Sequence, residues 1–120
     1  MSIVNLLAIA AFLGALPLFW LAYRFATNPV IAMDDVTHHL EHLPAVVAGR
    51  YAVLGFFAIG AAFTMNAWII AYIYAGFAAM GFYDGSVYAR ANLNTTKHVR
   101  AGVLSAVVAG IALVLALTTG

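Results

Sequence analysis

Long apolar runs broken by short polar stretches follow one another along the chain. Four runs stand out, at 3–23, 43–63, 67–88 and 99–117. Crossing ~30 Å of hydrocarbon takes about 20 helical residues, so each run is long enough for a spanning helix. Each is apolar on every side, as suits a helix that faces lipid or other helices. No run alternates as a half-buried strand does, and an open sheet edge does not survive in lipid. The pattern therefore predicts an all-α, integral membrane four-helix bundle, one transmembrane domain over 1–120. Pro17 is expected to kink the first helix, and Pro44 suits the first turn of the second. Met33, Val36, Leu40 and Leu43 recur at helical spacing, with Asp34, His38, Glu41 and His42 on a second stripe. This predicts a short interfacial helix over 33–42, between the first and second spans. The short, uncharged Thr64-Met65-Asn66 connection predicts that the second and third helices form a tight antiparallel hairpin.

Composition sharpens this into a statement about solvent. The chain has 120 residues, 66% apolar and 8% charged, with a mean hydropathy of +1.02. Soluble domains hold about 45–50% apolar and about 25% charged residues. There are no cysteines, which excludes a disulfide framework and thiolate metal sites. The net charge of +1 makes no case for nucleic acid. The opening stretch MSIVNLLAIAAFLGALPLFW lacks a basic leader, so it reads as a retained first span.

Charge is confined to two places. Residues 1–23, 51–83 and 101–120 contain no Asp, Glu, Lys, Arg or His. All such groups fall in 24–50 or 84–100, the first and third connections, which an even-numbered bundle puts on one side. Arg24, Arg90, Lys97 and Arg100 flank these connections. The positive-inside rule then assigns both to the cytoplasm and both termini to the other side. Asn94-Thr95-Thr96 matches a glycosylation sequon, which has no meaning in a cytoplasmic loop. Small residues point to packing: Gly102, Ala106 and Gly110 form a ladder on the fourth helix, and Ala71, Ala75 and Ala78 or Ala79 on the third. Such ladders serve bundle packing or self-association.

Two clusters are candidates for chemistry. In THHLEH (37–42), His38, Glu41 and His42 fit the spacing H-x-x-E-H. On the expected helix His38 and His42 would lie one turn apart, a geometry that binds Zn²⁺ or a similar metal. The simpler reading is a polar collar, with Asp34–His38 and Asp35–His39 as i, i+4 pairs. The second cluster is Arg50 and Asp84, each about 9 Å inside the cytoplasmic end of its helix at 1.5 Å per residue. Ionisable groups at that depth pair or face a wet cavity. An Arg50–Asp84 contact is expected, with Tyr51, Tyr83 and Tyr88 as partners or as interfacial belt, and His98 within reach. Arg50, Asp84, Tyr88 and His98 would form a structural lock or a pocket for a lipid or quinone head.

RYAVLGFFAIGAAF (50–63) resembles the second helix of small four-span bacterial proteins of unknown function related to the DoxX-like group. MGFYDGSVYA (80–89) and KHVRAG (97–102) are similar to that group's third-helix Asp and the His that opens its fourth helix. The resemblance implies a four-helix bundle in a bacterial inner membrane and points to Arg50, Asp84 and His98. HLEHLP (39–44) resembles the N-x-x-E-N-x-P stretch of the membrane-associated eicosanoid and glutathione metabolism family. Histidines replace its asparagines, however, and its Arg-rich approach is missing, so the groups that would hold glutathione are not in place. Two functions follow as expectations. One is a non-enzymatic accessory or structural subunit, associating with membrane lipids, other subunits or itself through Gly102, Ala106 and Gly110, with no catalytic residue. The other is a lipid- or quinone-binding protein or enzyme, with or without metal.

Overall fold

The computed structural model describes residues 1–119. No strand occurs among them. Five α-helices follow one another: α1 (Ile3–Thr27), α2 (Pro29–Asp35), α3 (Leu43–Thr64), α4 (Ala67–Arg90) and α5 (Thr96–Thr119), with a single 3₁₀ turn at Leu40–His42 before α3. Three helical segments are long and apolar enough to cross a membrane: Ile3–Thr27, Leu40–Thr64 and Thr96–Thr119. α4 matches them in length, but its tyrosines, its glycines and Asp84 interrupt the apolar run. The chain divides into two compact units, Met1–Ala48 and the residues from Gly49 onward.

In the first unit, Ser2 caps α1 by accepting the Asn5 N–H at 3.1 Å. α1 continues through Pro17 and runs four residues past its expected end. The Asn28-Pro29 pair then turns the chain, since proline is pre-set for the first position of a helix. α2 folds back on the end of α1 and buries Ala32 completely. It stops at Asp35, so the helix expected over 33–42 is not formed. Thr37 adopts a left-handed φ of 57°. The His38 N–H donates to the Met33 carbonyl and the Thr37 N–H to the Asp34 carbonyl, both at 2.9 Å. These two bonds are a Schellman closure. The helix instead begins upstream at Pro29, and 33–35 form its last turn.

In the second unit, the turn after α3 contains Met65 at φ 51°, and Asn66 caps α4 by accepting the Trp68 and Ile69 N–H groups at 2.9 and 3.3 Å. α3 does not close on α4 as a tight hairpin. Gly49, Gly55 and Gly60 have open space where a side chain would start. An apolar groove of ≈ 400 Å³ stays open between Leu54 and the Tyr72–Met80 face of α4. α4 ends with the same closure as α2: Asn92 sits at φ 57°, and the Leu93 N–H donates to the Tyr88 carbonyl at 2.9 Å.

α4 and α5 form the close-packed element of this unit. Ala71, Tyr74, Ala78, Gly81 and Gly85 line one side of the seam, and His98, Gly102, Ser105, Ala109, Ala112 and Ala116 the other, all buried or half-buried. Both rows alternate steps of three and four, which holds a stripe on one face of the helix. A ladder of fours drifts about 40° per step at 3.6 residues per turn. The expected Gly102–Ala106–Gly110 ladder therefore splits. Gly102 lies in the seam, Ala106 is half-buried, and Gly110 faces open space. At the closest point a Cβ on Gly81 would lie 2.7 Å from the Gly102 nitrogen and 2.8 Å from its Cα. Backbone meets backbone there, with no flexible side chain to yield.

Gly81→Ala should lower stability by roughly 1–3 kcal/mol through overpacking, while Gly110→Ala should be neutral or gain up to about 1 kcal/mol of helix propensity. Unfolding by denaturant in detergent micelles, followed by circular dichroism, measures both; equal effects would contradict the seam. Thr37→Gly should stabilise by roughly 1 kcal/mol, because a β-branched residue is costly in the left-handed region. An unchanged midpoint in the same assay would mean that Thr37 carries no strain.

Candidate functional site at the mouth of the α4–α5 hairpin

The glycines of α4 decide where the first turn of α5 can sit. At Gly85 a Cβ would come 3.1 Å from Val99 Cγ2 and 3.8 Å from His98 Cβ. With hydrogen there instead, α5 settles low enough for His98 to lie beside Asp84 and Tyr88, one helical turn apart on α4. His98 Nδ1 is 4.0 Å from Asp84 Oδ2, beyond hydrogen-bond range. The pair is thus a charge contact when the imidazole is protonated. Tyr88 stacks on the imidazole, with ring centroids 4.5 Å apart and planes inclined by 19°. Both members of the pair are partly exposed, at 30% for His98 and 39% for Asp84. The arrangement fixes the imidazole plane and aims one ring nitrogen at a carboxylate. The other ring nitrogen makes no side-chain hydrogen bond among the described residues. Chemically this is a polar contact point able to exchange a proton or meet a polar headgroup.

Three of the four residues expected to cluster are therefore together: Asp84, Tyr88 and His98. Arg50 stands apart. It is exposed on α3 and makes no ion pair with Asp84 among the described residues. α3 and α4 are not close-packed despite the short turn between them, so Arg50 is not brought to Asp84. Tyr51 and Tyr83 are likewise exposed.

The histidine stretch is arranged differently from the one-helix geometry. His38 leaves the end of α2, whereas Glu41 and His42 lie in the 3₁₀ turn, so the i, i+4 register of His38 and His42 does not exist. The rings that meet are those of His39 and His42, edge to face at 6.4 Å. His42 Nε2 lies 3.5 Å from Glu41 Oε1. His38, His39, Asp34 and Glu41 line an open groove of ≈ 910 Å³ together with Val30, Ile31 and Met33. No group of three His, Cys, Asp or Glu side chains placed to hold a metal ion occurs among the described residues. The expected Asp34–His38 and Asp35–His39 helical pairs are also absent among the described residues, because α2 stops at Asp35 and His39 is extended; Asp35 meets Arg24 instead.

The Arg24–Asp35 pair joins residues eleven apart, a separation that no helical spacing connects. Arg24 Nη2 donates to Asp35 Oδ2 at 2.5 Å, and its guanidinium carbon lies 5.8 Å from the centre of the Trp20 ring. Trp20 in turn stacks on Tyr23 at 5.9 Å. The signal available was Asn28-Pro29, which reverses the chain and returns Asp35 to Arg24 eleven residues on. The pair is half-exposed, so it ties α2 to α1 more by geometry than by energy.

No family model, curated protein or solved structure matches the chain. A double-mutant cycle of Tyr88→Ala and His98→Ala should give a coupling of roughly 0.5–1.5 kcal/mol, the value of a stacked ring pair. It is measured as unfolding free energy in micelles, and strictly additive losses would show that the rings do not support one another.

Proposed function

We propose that this chain is a small four-pass protein of the bacterial inner membrane, with both termini on the non-cytoplasmic side. On this reading it acts without catalysis, as a structural or accessory subunit joined to other membrane subunits or to copies of itself. The observation that carries the reading is α3. It belongs to a segment long and apolar enough to cross a membrane, yet only Ala61, beside its terminal turn, is buried. Gly49, Gly55 and Gly60 open onto empty space. Lipid tails are as apolar as leucine, so helices associate in a bilayer by close van der Waals contact at small residues. A spanning helix with its glycines unfilled is suited to such a contact, and a four-helix bundle is completed by it. The resemblance to the DoxX-like group fits the same span count.

A second reading rests on the Asp84, Tyr88 and His98 cluster, whose ordered imidazole suits the polar head of a lipid or quinone. Arg50 is not part of it.

The chain has no cysteine, so single cysteines at successive positions from 48 to 60 can each carry a photo-crosslinker in native membranes. Adducts of higher mass that recur every three or four positions are the expected result. Monomer at every position would remove the assembly reading. Mass spectrometry of gently purified protein examines the second reading: a bound lipid or quinone that is lost in both Asp84→Asn and His98→Gln would favour it.

A further inference from the structure

The turn between α4 and α5 holds a concentration of unpaired positive charge. Arg90 closes α4, and Lys97 and Arg100 lie in the opening turns of α5. All three are exposed. None makes an ion pair or a side-chain hydrogen bond among the described residues. The chain contains no Asp or Glu after Asp84, and Asp84 itself faces His98. The contrast with Arg24, held by Asp35, is direct: the arginine at the end of α1 is paired, and the three cations around the α4–α5 turn make no ion pair among the described residues.

The position of these cations adds a second constraint. Lys97 and Arg100 sit at the positive end of the α5 dipole, where like charge is unfavourable. The Thr96 N–H is already satisfied by Asn94 Oδ1 at 2.8 Å. The three side chains supply the full charges at this turn, whatever the backbone N–H groups of the first turn add. α5 is one of the segments apolar and long enough to cross a membrane, so its first turn lies where a spanning helix meets the headgroups. Tyr88, 40% exposed, is the kind of amphipathic ring that occupies that layer. Arginine matches phosphate oxygens with paired N–H donors, and lysine adds a point charge.

We propose that the α4–α5 turn is a docking site for anionic phospholipid, with Arg90, Lys97 and Arg100 meeting its phosphate. The inference needs only that α5 span the bilayer, so it stands or falls separately from the mode of assembly. Basic residues beside an anionic leaflet contribute about 1 kcal/mol each, which is roughly fivefold in affinity per cation.

The test is native mass spectrometry of the full chain in micelles doped with equal phosphatidylglycerol and phosphatidylcholine. The wild type should retain the anionic lipid preferentially. Each of Arg90→Gln, Lys97→Gln and Arg100→Gln should reduce that preference roughly fivefold at low salt, and Arg50→Gln should leave it unchanged. Thermal midpoints of the single variants check folding independently. Equal retention of the two lipids, an equal loss in Arg50→Gln, or complete displacement of the lipid by millimolar inorganic phosphate would each overturn the proposal. The last outcome would mark a free-anion site instead of a lipid site.

Discussion

The approach of Gly81 to Gly102 is the constraint on which the best-packed part of this molecule rests. Where a side chain would begin, each backbone meets its neighbour: a Cβ on Gly81 runs into Gly102, and one on Gly102 runs into the Phe82 ring at 3.0 Å. In a bilayer no water is released when two apolar helices meet, so what binds them is the density of contact. Alanine, glycine and serine along both sides of the seam bring the axes close over several turns. The same closeness sets the height at which α5 begins. It thereby delivers His98 to Asp84 and Tyr88, so the polar cluster follows from the apolar seam.

Helix ends are handled by a common device. α2 and α4 both stop with a residue in the left-handed region and the paired carbonyl bonds of a Schellman closure. At α4 the residue is Asn92, which tolerates that conformation. At α2 it is Thr37, which as a β-branched residue does not. The stop at Thr37 separates His38 from His42 and turns a regular stripe into two short pieces around an open groove. The placement of His38 and His42 one turn apart on a single helix is therefore not formed.

Charge is managed unevenly between the two polar connections. After α1, Arg24 is engaged by Asp35 and lies over Trp20. After α4, the one carboxylate turns inward to an imidazole and the cations are left outward. Each arrangement depends on one local reversal: Asn28-Pro29 in the first unit, and the Asn92 closure followed by the Asn94 cap in the second.

The all-helical character, three of the four expected membrane-length apolar segments and the near positions of the long helices were legible in the residues, because length and hydropathy largely decide whether a helix can sit in hydrocarbon. The grouping of Asp84 with His98 was also within reach, since a short turn makes their helices neighbours. Which small residues meet was not. Gly102 and Gly110 look alike in a ladder of fours, and only the seam's alternating spacing puts one inside and the other out. Nor could periodicity reveal that the stripe at 33–43 would be cut by a stop at Thr37, or that α3 would stand open and leave Arg50 without Asp84. Hydropathy reports what a helix can be buried in; which faces meet, and at what angle, is set by backbone contacts and turn conformations that arise only when the helices are brought together.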